Sequence, residues 1–126
     1  MLNALNQRTV NNSGITATGN YCTLSCGVMA PAANAPVAYG NMIDSASLLL
    51  TFSAGAMTGT ISWVVLRGDN TYVVVASPVL LASFPASAGS TQIAWTGGPV
   101  QGLGFAVTAV LGGGNISYAE LSATVR

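Results

Sequence analysis

From residue 45 to the C-terminus, apolar and polar side chains alternate. In "SASLLLTFS" (residues 45–53), Leu48, Leu50 and Phe52 fall on one side, and Ser47, Leu49, Thr51 and Ser53 on the other. "TISWVVL" puts Ile61, Trp63 and Val65 together, and "TYVVVAS" follows it. "TQIAW" alternates through Ile93 and Trp95, and "FAVTAVL" groups Phe105, Val107, Ala109 and Leu111. In "ISYAELSATVR", Ala119, Leu121, Ala123 and Val125 point one way, and Glu120, Ser122, Thr124 and Arg126 the other. Successive side chains of a strand lie on opposite faces, so this period predicts half-buried β-strands. From it, Trp63, Phe52, Leu50, Val107 and Leu121 are expected in the core.

Turn chemistry punctuates the runs: "SAGAMTG", "RGDN", "SFPASAGS", "TGGPVQGLG" and "LGGGN". Short strands at such intervals predict an all-β fold, an antiparallel β-sandwich of jelly-roll or immunoglobulin-like type. No segment has helical periodicity, and no internal repeat is present. Residues 1–20 are polar, rich in Asn, Thr and Gly, and aperiodic. They read as an extended N-terminal arm, disordered until a partner orders it, ahead of a sandwich domain at 21–126. "VMAPAANAPVAYG" (residues 28–40), with Pro31 and Pro36 among small residues, reads as a loop.

Composition sharpens this picture. A chain of 126 residues suits one domain with a real core. Hydrophobic residues make up 51% and charged residues 5%, against about 25% charged in ordinary domains. Arg8, Asp44, Arg67, Asp69, Glu120 and Arg126 are the only charges and they sum to zero; Lys and His are absent. Net charge near zero favours association, and strand edges without charge are poorly protected against pairing. Both features suit a subunit of a larger assembly. Three scattered arginines make no phosphate-binding patch, so nucleic acid is disfavoured.

A membrane helix at 46–66 is rejected. The stretch is uncharged but carries Ser47, Thr51, Ser53, Gly55, Thr58, Gly59, Thr60 and Ser62, where a span needs roughly 20 mostly apolar residues. The opening "MLNALNQRTVNNSG" lacks a basic region followed by an apolar run. Synthesis in a cytoplasm is therefore expected.

Candidate chemistry is sparse. Asp69 falls at a hairpin tip and Glu120 on an outward face, and no His or Lys accompanies them. General acid–base catalysis needs titratable groups held together, so no enzyme, catalytic residue or cofactor is expected. The glycine-rich stretches lack the Lys and Ser or Thr of a phosphate loop and read as turns. Cys22 and Cys26 on one extended strand lie about 13 Å apart, beyond the roughly 7 Å limit of a disulfide. They read as buried thiols, and two Cys without His are too few for a metal site. Trp63 and Trp95 alternate with apolar neighbours, which favours core over sugar stacking, while Tyr72 and Tyr118 read as outward. Arg67-Gly68-Asp69 has the look of an adhesion signal. "RGDN" is also what a hairpin turn contains, because Gly, Asp and Asn tolerate positive φ, and the turn is the preferred reading.

The strand "SLLLTFS" and the hairpins "TGTISWVVLRGDNTYVVVA" and "GFAVTAVLGGGNISYAELSATVR" resemble structural β-sandwich proteins of tailed bacteriophages, most of all capsid decoration (cement) proteins. The likeness covers about two thirds of the chain and lies in the makeup of its strands, which are built from Gly, Ala, Ser, Thr and Val with few charges. It implies a homo-oligomer, a trimer above all, on the capsid exterior, bound over junctions between major capsid proteins after assembly in the host cytoplasm. It also implies an arm that reaches across neighbours. The expected partner contacts are Leu2, Leu5, Arg8 and Val10 in the arm, and Arg67 and Asp69 at the hairpin tip. The alternatives are a fibre, spike or tail module that recognises a host receptor or glycan, and a surface adhesion fragment that uses the Arg-Gly-Asp tip.

Overall fold

The structure, a computed structural model, describes residues 5–25, 42–53, 58–76, 79–80 and 90–125. The strands are β1 (Leu5–Asn11), β2 (Gly19–Ser25), β3 (Ile43–Phe52), β4 (Thr58–Leu66), β5 (Tyr72–Val74), β6 (Val79–Leu80), β7 (Ser90–Trp95), β8 (Gly102–Gly112) and β9 (Ile116–Val125). They form two antiparallel sheets. One has the order β1-β9-β3-β7; the other has β2-β8-β4-β5, with β6 pairing β4 beside β5.

The pairing is nested. β4 pairs with β5 and β6, β3 with β7, β2 with β8 and β1 with β9. The chain thus runs as one long antiparallel ribbon, folded over so that successive pairs fall in alternate sheets. β3·β9 and β4·β8 contacts then close each sheet. This is the jelly-roll form of the sandwich, and the immunoglobulin-like order is not adopted.

The core lies between the sheets. Leu48, Leu50 and Phe52 of β3 meet Ile61 of β4, Leu103, Phe105 and Val107 of β8, and Ala119, Leu121, Ala123 and Val125 of β9. The alternation in β3 and β9 therefore has the face assigned from sequence. Trp63 departs from expectation: it packs against the core but is only half-buried. It lies on the β7 side of the sandwich, edge-on to Trp95, with ring centroids 5.4 Å apart. In β4 burial is not confined to one face, since Ser62 and Val64 are as buried as Ile61; the Ser62 hydroxyl donates to the Ala76 carbonyl at 2.7 Å.

The expected arm is corrected. Residues 5–11 are β1, in register with β9 from Leu5↔Val125 to Asn11↔Ala119. Ile15 exchanges backbone hydrogen bonds with Ile116 (2.8 and 3.1 Å), and its side chain is 1% exposed. Residues 19 and 20 already belong to β2. A lone isoleucine among polar residues leaves no periodic trace, yet one residue is enough to plug the end of a core when backbone pairing aims it there. The boundary at 20/21 therefore divides nothing structural.

A bulge shapes the β2 edge. Tyr21 pairs with Phe105 and Leu24 with Leu103, so Cys22 and Thr23 together oppose Gly104. Cys22 takes φ 52°, a left-handed conformation uncommon outside glycine. The partner must be small: a Cβ on Gly104 would lie 3.0 Å from Thr23 Cγ2 and 3.1 Å from both Thr23 Cα and the Tyr21 carbonyl.

Candidate functional site

The expected contact residues do not converge. β1 and β2 form one side of the sandwich, and β5 and β7 end the sheets on the other. Arg8 and Val10 stand on the first side; Arg67 and Asp69 cap the β4–β5 hairpin on the second. Leu5 is placed by its backbone pairing with Val125. Leu2 lies outside the described residues, as do Cys26 and the loop at 28–40.

The hairpin tip is a closed turn. Asn70 N–H donates to the Arg67 carbonyl at 3.0 Å, and Arg67 N–H to the Thr71 carbonyl at 2.8 Å. Asn70 takes φ 68°, so a turn followed by a left-handed residue closes a short loop. Asn70 supplies the positive φ; Gly68 does not, and a Cβ there would meet nothing within 4 Å. The two charges of the tripeptide face each other, with Arg67 Nη2 3.2 Å from Asp69 Oδ2. Asp69 Oδ1 accepts from the Thr71 hydroxyl (2.6 Å) and from its N–H (3.2 Å). The Thr71 hydroxyl, followed by its N–H and then Arg67, holds the Asp69 carboxyl below its ordinary pKa. Both side chains of this pair stay more than half exposed, so it is a weak, solvent-screened contact that trims the turn.

Among the described residues, this side carries two of the three exposed large hydrophobic side chains; the third, Val10, is 47% exposed on β1. Val74 and Val75 are 50% and 48% exposed. Neither β5 nor β7, the strands that end the two sheets there, contains a charged residue.

The outer face of the β1-β9-β3-β7 sheet mixes short polar side chains with apolar ones. Register places Asn6, Arg8 and Val10 beside Thr124, Ser122 and Glu120, and these beside Ser45, Ser47 and Leu49. Glu120 is the hub: its Oε1 accepts from the Tyr118 hydroxyl at 2.7 Å, its Oε2 from Ser122 at 3.4 Å, and Arg8 Nε lies 3.7 Å from Oε2. The hydrogen bond to Glu120 raises the Tyr118 pKa, since losing that proton would leave two anions in contact. Where the outward side chains are short, the sheet dips into a groove of about 570 Å³. The groove was not legible beforehand, because outward Ser and Thr look alike on every solvated strand.

Cys22 is a free, buried thiol. Burial pushes its pKa from 9.0 to about 11, and the protonated thiol donates a weak hydrogen bond to the Ala119 carbonyl at 3.6 Å, as an inert core group does. Among the described residues no three metal-ligating side chains gather, and no helix is long and apolar enough to cross a membrane. No protein-family model matches the chain, and a search of curated proteins finds no match.

Proposed function

We propose that the chain is a non-enzymatic structural protein of a tailed-bacteriophage virion, a decoration protein that binds the capsid exterior over junctions between major capsid proteins and self-associates as a trimer. The observation that carries this reading is the β5/β7 side of the sandwich. Both sheets end there on strands without charge, with Val74 and Val75 exposed beside them. Sheet edges of free proteins are commonly guarded by charge, and apolar surface of this kind gains from being covered. A lattice of many copies covers it, and each contact can be modest when many engage at once. The jelly roll is compatible with the reading but does not select it, since that fold serves many functions.

The test is copy number. Quantitative mass spectrometry of purified particles should find hundreds of copies per virion. A handful of copies would move the chain to the fibre or spike reading, in which it recognises a host receptor or glycan. Absence from particles would refute both. Stripped particles should rebind the protein with little dependence on salt, because few ion pairs are available to screen. A folded variant carrying Val74→Asp and Val75→Asp should rebind poorly, and unchanged occupancy would remove the β5 edge from the mechanism.

A further inference from the structure

The sheets end on β1, β7, β2 and, at the fourth edge, β5 beside β6. An edge strand leaves a row of backbone amides and carbonyls unpaired, and proteins guard such rows with charge, brevity, proline or a bulge. Three of these edges are guarded. β1 carries Arg8, β2 is interrupted by the bulge at Cys22 and Thr23, and β5 and β6 are only three and two residues long. β7 has none of these devices. It is six residues of "STQIAW" without charge or proline, and it runs along β3 in unbroken register from Ala46↔Trp95 to Thr51↔Ser90. Among the described residues, no strand pairs with β7 on its far side. A second observation at the same place concerns side chains. Thr91, Ile93 and Trp95 share the inward face, opposite Leu50, Leu48 and Ala46, yet Ile93 and Trp95 are only half-buried. Beside Ile93, a small cleft of about 50 Å³ lies between the sheets, lined mainly by Leu48, Ile61, Trp63, Val79 and Phe105. The inward row of β7 is thus packed on its β3 side and unfinished on the other.

The geometry points to a second copy of this chain as the occupant of that edge, its own β7 added antiparallel across a two-fold axis. An antiparallel pair of identical strands is self-complementary, so one axis satisfies both edges at once. The joint sheet then has the order β1-β9-β3-β7-β7-β3-β9-β1 and ends on both sides at the strand that carries Arg8. Pairing therefore removes the unguarded edge and exposes no new one, whereas an open head-to-tail addition would leave a bare β7 on the last copy. Opposite residues of antiparallel strands share a face, so the axis must pass through a residue. At Ile93 it sets Ile93 against Ile93 and Thr91 against Trp95 on the inward face, a β-branched pair and two β-branched–aromatic pairs of the kind that stabilise sheets. On the outward face Gln92 meets Ala94, so no charge opposes a like charge. The contact goes beyond the decoration reading. It uses β7, leaves Val74 and Val75 at the β5 edge to the capsid, and, being two-fold, links one trimer to the next instead of building the trimer.

Analytical ultracentrifugation of the full chain tests this. Gln92→Lys combined with Ala94→Lys sets lysine against lysine across the axis and should halve the sedimenting mass. Gln92→Glu combined with Ala94→Glu should do the same, and an equimolar mixture of the two variants should restore the parent's mass. Both positions are exposed, and far-ultraviolet circular dichroism matching the parent's establishes that neither variant has lost the fold. In a Cys26→Ser background, Ile93→Cys should oxidise to a cross-linked pair of chains, because opposite Cα atoms of antiparallel strands lie about 4.5–5.5 Å apart, within disulfide reach. The inference is overturned if the parent and the lysine variant have the same mass, if mixing the lysine and glutamate variants restores nothing, or if Ile93→Cys does not cross-link. An unchanged mass together with lost rebinding of the lysine variant to stripped particles would assign the edge to the capsid instead. It is equally overturned if hydrogen exchange finds every β7 amide of the lysine variant protected, which would mean that its own chain covers the edge. None of these results bears on copy number in particles, so the two readings fail separately.

Discussion

Replacing Ile15 with Ala separates the integrated N-terminal segment from the arm that the composition suggests. Ile15 is 1% exposed, belongs to the core cluster with Ile116 and Phe52, and is pinned by the two backbone bonds to Ile116. Truncating a buried isoleucine removes transfer free energy and leaves a cavity that rigid β-strands fill poorly; the cost is about 2–5 kcal/mol. An exposed arm residue would cost no more than about 0.5 kcal/mol. For a chain of 126 residues, each kcal/mol moves the melting temperature by about 3–5 °C. Ile15→Ala should therefore melt roughly 6–25 °C below the parent. Exposed Thr16 is the neighbouring control, and Thr16→Ala should melt with the parent. Urea unfolding followed by tryptophan fluorescence gives the free energies directly, with equal slopes required for the comparison. If Ile15→Ala lies within about 0.5 kcal/mol of the parent, the segment does not pack and the register of β1 on β9 is wrong. The same logic governs truncation: deleting residues 1–20 removes β1 and Ile15, leaves β9 as a bare edge, and should give aggregated rather than merely shortened protein.

Gly104→Ala should destabilise by about 1–3 kcal/mol in urea unfolding, since its Cβ meets backbone atoms of the β2 bulge that cannot swing aside; a neutral result would mean the bulge is absent. Gly68→Ala should change stability by less than about 0.5 kcal/mol, because the positive φ of the tip resides on Asn70. Trp63 and Trp95 should show a coupling of about 0.5–1.5 kcal/mol in a double-mutant cycle, and strict additivity would separate the rings. In a Cys26→Ser background, Cys22 should resist alkylation at pH 8 until urea unfolds the chain. Its raised pKa also fixes the sign of a pH effect. The thiol is protonated in both states below about pH 9, and above that the unfolded chain loses the proton first, so stability should fall between about pH 9 and about pH 11. A parent and a Cys22→Ala variant with the same alkaline profile would refute that assignment.

The sequence by itself determined β3, β4, β5, β7, β8 and β9, though not the two-residue β6, and the inward faces of β3 and β9, because alternation is a local property that burial on one side imposes on each strand separately. It also determined the closed turn at 67–70, since Asp69, Asn70 and Thr71 supply its hydrogen bonds within a few residues. The tertiary structure decided what depends on distant partners. Whether polar residues 5–11 are an arm or a strand is settled by the edge β9 offers them, and Ile15 enters the core only because that pairing delivers it. The nested order that makes the sandwich a jelly roll joins residues more than a hundred positions apart, as Leu5 and Val125 show, and no local pattern encodes such pairing. The groove is of the same kind: Ser45, Ser47 and Ser122 are unremarked alone and become a concave surface only where three strands set short side chains in adjacent rows.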